Sequence, residues 1–286
     1  MSVLAGLALA GPAMAATAVR RWRGVALGAE AELELRGPDA ATGPALTAAL
    51  EEVARMEGLF SLYRDSALTR LNRDGVLSVP DPAFADLMAL CDRVHGLTGG
   101  LFDPTVQPLW LALAEGGDVT AARARVGWDR VRRDGGAVRL GAGQALTLNG
   151  IAQGFAADRV AAVLRGHGLS DVAVDLGERV VVGPARRLGL VDPDAGLVGM
   201  VTVRDGAVAT SSPGATLASA GGHILHPAGG VPLWSSVCIE AEHAALADGL
   251  STAGCLMDGA GLTRIAGLPG VRRVVAVDAD GDVSRW

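Results

Sequence analysis

Asp248 and Thr252, in the run Ala247-Asp248-Gly249-Leu250-Ser251-Thr252, have side-chain types and a spacing suited to holding a hard cation. On a helix, residues four apart share one face on adjacent turns. A carboxylate and a hydroxyl placed in this way can start an oxygen shell that carbonyls and waters complete. Mg2+ suits such a site, because it takes few protein ligands and leaves positions for phosphate oxygens. The same spacing also describes a helical Thr bonded to its own backbone beside a solvated Asp. His223, followed by Ile224 in a glycine-rich loop ahead of Pro227, is of the type that takes a proton from an alcohol near neutral pH. A loop histidine held for structure fits that context too. His95, His167, His226 and His243 are scattered, with no HxxxH or Cys/His cluster for zinc and no Gly-x-Ser-x-Gly elbow.

Between these two sites and the N-terminus lies Leu146 to Leu164, which reads as a short strand, a turn with Gly150 and Gly154, and an amphipathic helix. Glycines let a backbone approach a ligand, and the free N–H groups of a first helical turn suit a phosphate. Close packing alone would also call for glycines there. Tyr63, the only tyrosine, falls in a turn between helices, where it can stack on a planar ligand or pack on the surface.

The elements that position these residues follow from periodicity. Alternation from Val25 to Leu35 predicts a strand, ended by Gly37 and Pro38. Helical spacing predicts helices over 45–60 and 81–97, the second stopping at Thr98-Gly99-Gly100. Asp65 or Ser66 can cap a short helix between them. Asp103, ahead of Pro104, is held extended. Shorter helices are expected over 108–114 and 119–126, then two short strands leading to Gly150. Strands are expected over 171–176, 180–182, 188–191, 199–203, 206–209 and 235–240, a helix over 241–257, and a last strand over 271–277. Helices followed by a run of short strands point to an α+β fold. No repeat or linker marks a domain boundary.

Half of the 286 residues are hydrophobic but only 3% are aromatic, so aliphatic residues and Ala must build the core. The net charge of −6 and the lack of a basic run exclude nucleic acid as the main partner. Val3 to Met14 is apolar, and Ala13-Met14-Ala15 fits an A-x-A cleavage site, so residues 1–15 are expected to be a signal peptide and the chain to be exported to the bacterial periplasm. That run is too short to span a membrane. No Cys follows it, so a lipid anchor is not expected. Cys91, Cys238 and Cys255 lack CxxC spacing and sit in apolar contexts, as buried small hydrophobes do.

Five segments, in order, resemble the ApbE family, the FAD:protein FMN transferases. They are Phe60-Ser61-x-Tyr63-Arg64-x-Ser66-x5-Asn72, Gly99-Gly100-Leu101-Phe102-Asp103-Pro104-Thr105, Gly150-Ile151-Ala152-Gln153-Gly154, His223-Ile224-x-x-Pro227 and Ala247-Asp248-x-x-x-Thr252. The resemblance runs from about Val25 to the end. It implies one domain over 16–286, made of two fused lobes of mixed or antiparallel sheet with flanking helices. It also implies an FAD site at Leu27, Tyr63, Leu101, Phe102, Asp103, Thr147, Gln153 and Ile224, and a metal site at the Gly150 carbonyl, Asp248 and Thr252. The implied reaction is Mg2+-dependent transfer of FMN from FAD to a Thr or Ser hydroxyl of a target protein, with AMP leaving. His223 is the expected base, and Asp248 is a ligand first. The acceptor implied for an exported member is a periplasmic or membrane-associated redox protein, with any membrane contact peripheral.

Several positions depart from the family pattern. Gln153 stands where Lys is frequent, Thr147 where a carboxylate is common, Glu178 where the strand-end Leu-Gly-Gly ends, and Gly229 where Thr is usual. These departures keep two other outcomes in view: an Mg2+-dependent FAD pyrophosphatase, and an FAD-binding protein without turnover.

Overall fold

The computed structural model describes residues 17–215 and 222–286. The expected signal peptide, residues 1–15, lies outside the described residues. The chain opens with an antiparallel hairpin, β1 (Thr17–Ala26) and β2 (Ala29–Pro38), where a single strand over 25–35 was expected. The alternation runs through both arms, so periodicity hides the reversal. The turn is made by Leu27 and Gly28, both at positive φ (50° and 82°). In β2, Ala31, Leu33 and Leu35 are buried while Glu30, Glu32 and Glu34 face outward.

Helix α1 (Asp39–Phe60) buries Thr42, Ala45, Ala49, Val53, Met56 and Phe60, one helical stripe. Ser66, rather than Asp65, caps α2 (Ala67–Asp74): its Oγ accepts the Thr69 N–H at 3.1 Å, and the Thr69 hydroxyl accepts the Ser66 N–H at 2.8 Å. The two-residue strand β3 (Val76–Leu77) comes next. Helix α3 (Pro82–Leu97) has Asp81 as its cap and proline in its first turn. Helices α4 (Gln107–Glu115) and α5 (Val119–Arg123) follow, then β4 (Arg132–Asp134) and β5 (Ala137–Arg139), which join β3 in a small sheet ordered β3-β5-β4.

The expected strand over 146–148 is an extended segment without a ladder partner, leading into α6 (Ala152–Gly166). Then come β6 (Asp171–Asp175), β7 (Arg179–Val182), β8 (Arg186–Asp192), β9 (Gly196–Val203) and β10 (Gly206–Ser211). After β11 (Ser236–Ala241), the helix expected over 241–257 is the shorter α7 (Ala244–Gly254), and a further helix α8 (Gly259–Ala266) follows it. Strand β12 (Val271–Val277) does not close the chain, because β13 (Val283–Arg285) folds back along it.

Among the described residues every strand pairing is antiparallel, and the main sheet runs β1-β2-β6-β7-β10-β11-β12-β13. This is the α+β class. Helices α1, α6 and α7 cover one face, α1 on β1 and β2, α6 on β6 and β7, α7 on β10 and β11. Three of the few aromatics knit this layer: Phe60 stacks on Phe84 and meets Phe155 edge-on. The β8–β9 hairpin covers part of the opposite face with Leu190, Val201 and Val203 against Val181, Val208, Cys238 and Val275. All three cysteines are buried and free.

Candidate active site

The crossing of α6 and α7 brings the cation-type side chains to the glycine turn. A Cβ on Gly154 would run into the Ala244 carbonyl and lie 2.8 Å from Asp248 Cβ, so only glycine permits this approach. Asp158, one turn further along α6, caps α7: its Oδ1 accepts the Ala244 N–H at 2.9 Å and its Oδ2 the Ala245 N–H at 3.0 Å. With the start of α7 held in this way, Asp248 is 2% exposed and its Oδ2 accepts the Gly154 N–H at 3.0 Å. One turn later the Thr252 hydroxyl reaches the Gly150 carbonyl at 3.4 Å. It also lies 3.3 Å from the Ser211 hydroxyl, which is 2.8 Å from Ser251 Oγ. The solvated-Asp alternative is therefore not what the chain adopts.

This group has the chemistry of a hard-cation site. Its donors are a carboxylate, a hydroxyl and a carbonyl, all oxygen. Burial pushes the Asp248 carboxyl up to about 7; the Gly154 N–H works against this, and the charge of Asp158 adds to it. Asp248 has no ion pair among the described residues, and a buried carboxylate without a basic partner is relieved by a bound cation. Among the described residues no three His, Cys, Asp or Glu side chains are grouped so that they could hold a metal ion.

A rim of residues joins this group on one side. The Leu27 N–H donates to Glu57 Oε1 at 3.3 Å, and the Leu27 carbonyl accepts from the Gln153 amide at 3.4 Å, which hangs the hairpin tip between α1 and α6. Tyr63 is 73% exposed, with its ring edge against Gly28, where a Cβ would lie 2.9 Å from Tyr63 Cε2. The Gln153 side chain lies on Gly177, so Tyr63, Leu27, Gln153 and Gly177 run continuously toward Gly154.

On another side stands the segment after α3. Phe102 is buried; its N–H donates to Thr98 Oγ1 at 3.1 Å and its carbonyl accepts from His95 Nδ1 at 2.9 Å. The Asp103 carboxylate is engaged within its own loop. Oδ1 accepts the Thr105 N–H at 2.8 Å and the Thr105 hydroxyl at 2.6 Å, and Oδ2 accepts the Trp128 N–H at 3.2 Å. Any ligand contact of Asp103 would come on top of these bonds. The Pro104 carbonyl accepts the Thr147 N–H at 2.9 Å, which sets Leu101, Phe102 and Asp103 beside the segment leading to Gly150. Asn72 clasps Leu146 from α2: its amide donates to the Leu146 carbonyl at 2.8 Å and accepts the Leu146 N–H at 2.7 Å.

The histidine loop is tied to the strand that carries Ser211. The His223 N–H donates to the Pro213 carbonyl at 3.2 Å, and His223 Nδ1 lies 3.1 Å from the same oxygen. A carbonyl only accepts, so Nδ1 carries the proton and the lone pair of the neutral ring sits on Nε2. Ile224 is buried at 7% exposed, and Arg123 holds the loop through the His226 and Pro227 carbonyls at 3.1 and 3.3 Å. Asn72, Asp158, Ser211 and Glu178 belong to this neighbourhood without having been singled out as site residues. Asn72 closes the first of the family-type segments and Glu178 stands at one of the departures from the pattern, whereas nothing local marked Asp158 or Ser211.

Residues 27–274 match the model of the ApbE family. The chain belongs to the ApbE family. Solved structures of the same fold include an ApbE protein from Thermotoga maritima (25% identity, TM-score 0.83, covering 94% of this chain and 97% of that one). Others are the flavin transferase ApbE from Vibrio cholerae (22%, 0.79, 94% and 97%) and the Pseudomonas stutzeri flavinyl transferase ApbE in its apo form (23%, 0.81, 94% and 94%). No curated protein matches the chain. The ApbE match spans both the Tyr63 rim and the Asp248–Thr252 group, so the convergence described above falls inside the family's own extent.

Proposed function

We propose that this ApbE protein transfers FMN from FAD to a Thr or Ser hydroxyl of a target protein, forming a phosphoester and releasing AMP, with a divalent cation, Mg2+ by its chemistry, at Asp248, Thr252 and the Gly150 carbonyl. Family membership supports the flavin-transferase class. The observation that carries the finer reading is the Gly154–Asp248 contact, which joins an oxygen donor set to a glycine turn suited to a phosphate.

In this reading the acceptor hydroxyl oxygen bonds to the FMN-side phosphorus. The bond from that phosphorus to the bridging oxygen breaks, and AMP departs with the bridging oxygen. His223 Nε2 takes the hydroxyl proton, and the Nδ1 bond to Pro213 keeps the ring in the tautomer that can do so. When bound, the cation would neutralise charge on the pyrophosphate as it builds. Tyr63 offers an exposed ring to the flavin or adenine, while Leu27 and Gln153 line the approach to Gly154. Residues 1–15 would direct the chain to the periplasm, where a membrane-associated redox protein is the natural acceptor. Among the described residues no helix is long and apolar enough to cross a membrane.

The test is a denaturing gel scanned for flavin fluorescence, with FAD, Mg2+ and an acceptor carrying an Asp-x-x-Ser-Gly-Ala-Thr segment. Label on the acceptor that vanishes with Asp248→Ala supports transfer. AMP and FMN without label would replace it with FAD hydrolysis, and bound FAD with neither product with a flavin-binding protein.

A further inference from the structure

Glu178 lies in the turn between β6 and β7. It shares the parity of Val180 and Val182, the β7 residues that face the helix layer, and it is 7% exposed. Its Oε2 accepts the Thr210 N–H at 3.1 Å, and among the described residues Oε1 accepts no hydrogen bond. Among the described residues it forms no ion pair: the adjacent Arg179 bonds Asp175 at 2.6 Å, and its charge offsets only part of the effect of burial. Burial, and then the charge of Asp248, push its carboxyl well above the usual carboxylate range.

The backbone on either side ties Glu178 to the cation-type group. Gly177, just before it, packs on the Gln153 amide, and Gln153 precedes the Gly154 that bonds Asp248. Thr210, which bonds Glu178, precedes the Ser211 that bonds the Thr252 hydroxyl. A second carboxyl buried within reach of the Asp248 charge is costly to ionise, and a divalent cation bound to both would remove that cost.

We propose that Glu178 is a second carboxylate ligand of the divalent cation held by Asp248, Thr252 and the Gly150 carbonyl. This rests on the reading of those three residues as a cation site. Ligand charge count is a main determinant of affinity for hard cations, so the second carboxylate makes the site bind its cation in the absence of FAD.

The experiment titrates Mn2+ into the flavin-free full chain, following free Mn2+ by electron paramagnetic resonance and the melting temperature in parallel. Glu178→Gln keeps the shape and the Thr210 bond. It is expected to weaken Mn2+ binding by about ten- to a hundredfold and to move the Mn2+-induced rise in Tm to correspondingly higher Mn2+. Its metal-free Tm should be equal or higher, since Gln replaces a buried carboxyl that is costly to ionise. Glu178→Asp, which keeps the charge, should bind more tightly than Glu178→Gln. Unchanged affinity in Glu178→Gln, with binding lost in Asp248→Asn, would overturn the role of Glu178 and leave the cation site standing. So would equal weakening by Gln and Asp. A wild-type chain that takes up no Mn2+ would overturn the cation site itself.

Discussion

The Gly154 amide donates to Asp248 Oδ2 at 3.0 Å across 94 positions of sequence, and this bond exists only because Gly154 has no side chain. A methyl group there meets the Ala244 backbone, which is pinned by Asp158 and cannot retreat. Gly154→Ala is therefore expected to cost about 3 kcal/mol and to separate α6 from α7. Urea unfolding would measure the loss, and an unchanged midpoint would show that the helices can part cheaply. FMN transfer should fall with it, because Asp248 and the Gly150 turn lose their common position.

Asn72 acts at a distance from the chemistry. Asn72→Ala leaves the buried Leu146 without partners for its N–H and carbonyl, at a cost of about 2 kcal/mol. Thermal unfolding should shift downward, and the initial transfer rate should drop even where the protein stays folded, since the clasp holds the segment that ends at Gly150. A transfer rate equal to wild type would remove Asn72 from the positioning of that turn.

Tyr63 should separate binding from stability. With 73% of its surface exposed, Tyr63→Ala is expected to change stability by no more than about 0.5 kcal/mol. FAD affinity should weaken by about 1 kcal/mol if the ring stacks on the cofactor. Fluorescence titration of FAD alongside a melting curve reads both. Loss of stability with unchanged affinity would return Tyr63 to surface packing.

Glu34 makes the sheet sensitive to acid. Burial raises its pKa, but hydrogen bonds from Arg186 at 2.6 Å, Arg21 at 2.8 Å and Arg36 at 3.1 Å outweigh this and hold it at about 2, against 4.5 for an ordinary Glu. A carboxyl depressed in the fold contributes stability above its unfolded pKa, and that contribution is lost as pH falls from about 4.5 toward 2. After allowance for solvent screening at the sheet surface, it amounts to about 2 kcal/mol. Glu34→Gln should lower stability at pH 7 by that amount and flatten the acid limb of a stability–pH curve. A parallel acid limb in the variant would assign the sensitivity elsewhere.

Helices of this chain were legible where one stripe meets one core. The Leu87–Met88–Cys91–Val94 spacing of α3 and its stop at Thr98-Gly99-Gly100 carry over directly. Helix α8 escaped notice because it is short and begins among glycines, where propensity points to a turn. The β1–β2 reversal was hidden for a different reason: Leu27 takes a left-handed backbone conformation that a leucine does not advertise. The segment over 146–148 looked like a strand because its side chains alternate, yet its backbone partners are an Asn amide and a proline carbonyl.

What the amino-acid order determined by itself is local: the caps, the helical and strand periods, the glycines at 150 and 154, and the four-residue spacing of Asp248 and Thr252. Those features depend on neighbours within a few positions, so they can be read along the chain. Only the tertiary structure decided that Asp248 faces Gly154, that Glu178 is buried against Thr210, that Asp103 spends its carboxylate on its own loop, and that His223 Nδ1 is held by Pro213. Each of those outcomes turns on which atoms the packed helices and sheet bring within 3 Å or so, and on how much water they exclude.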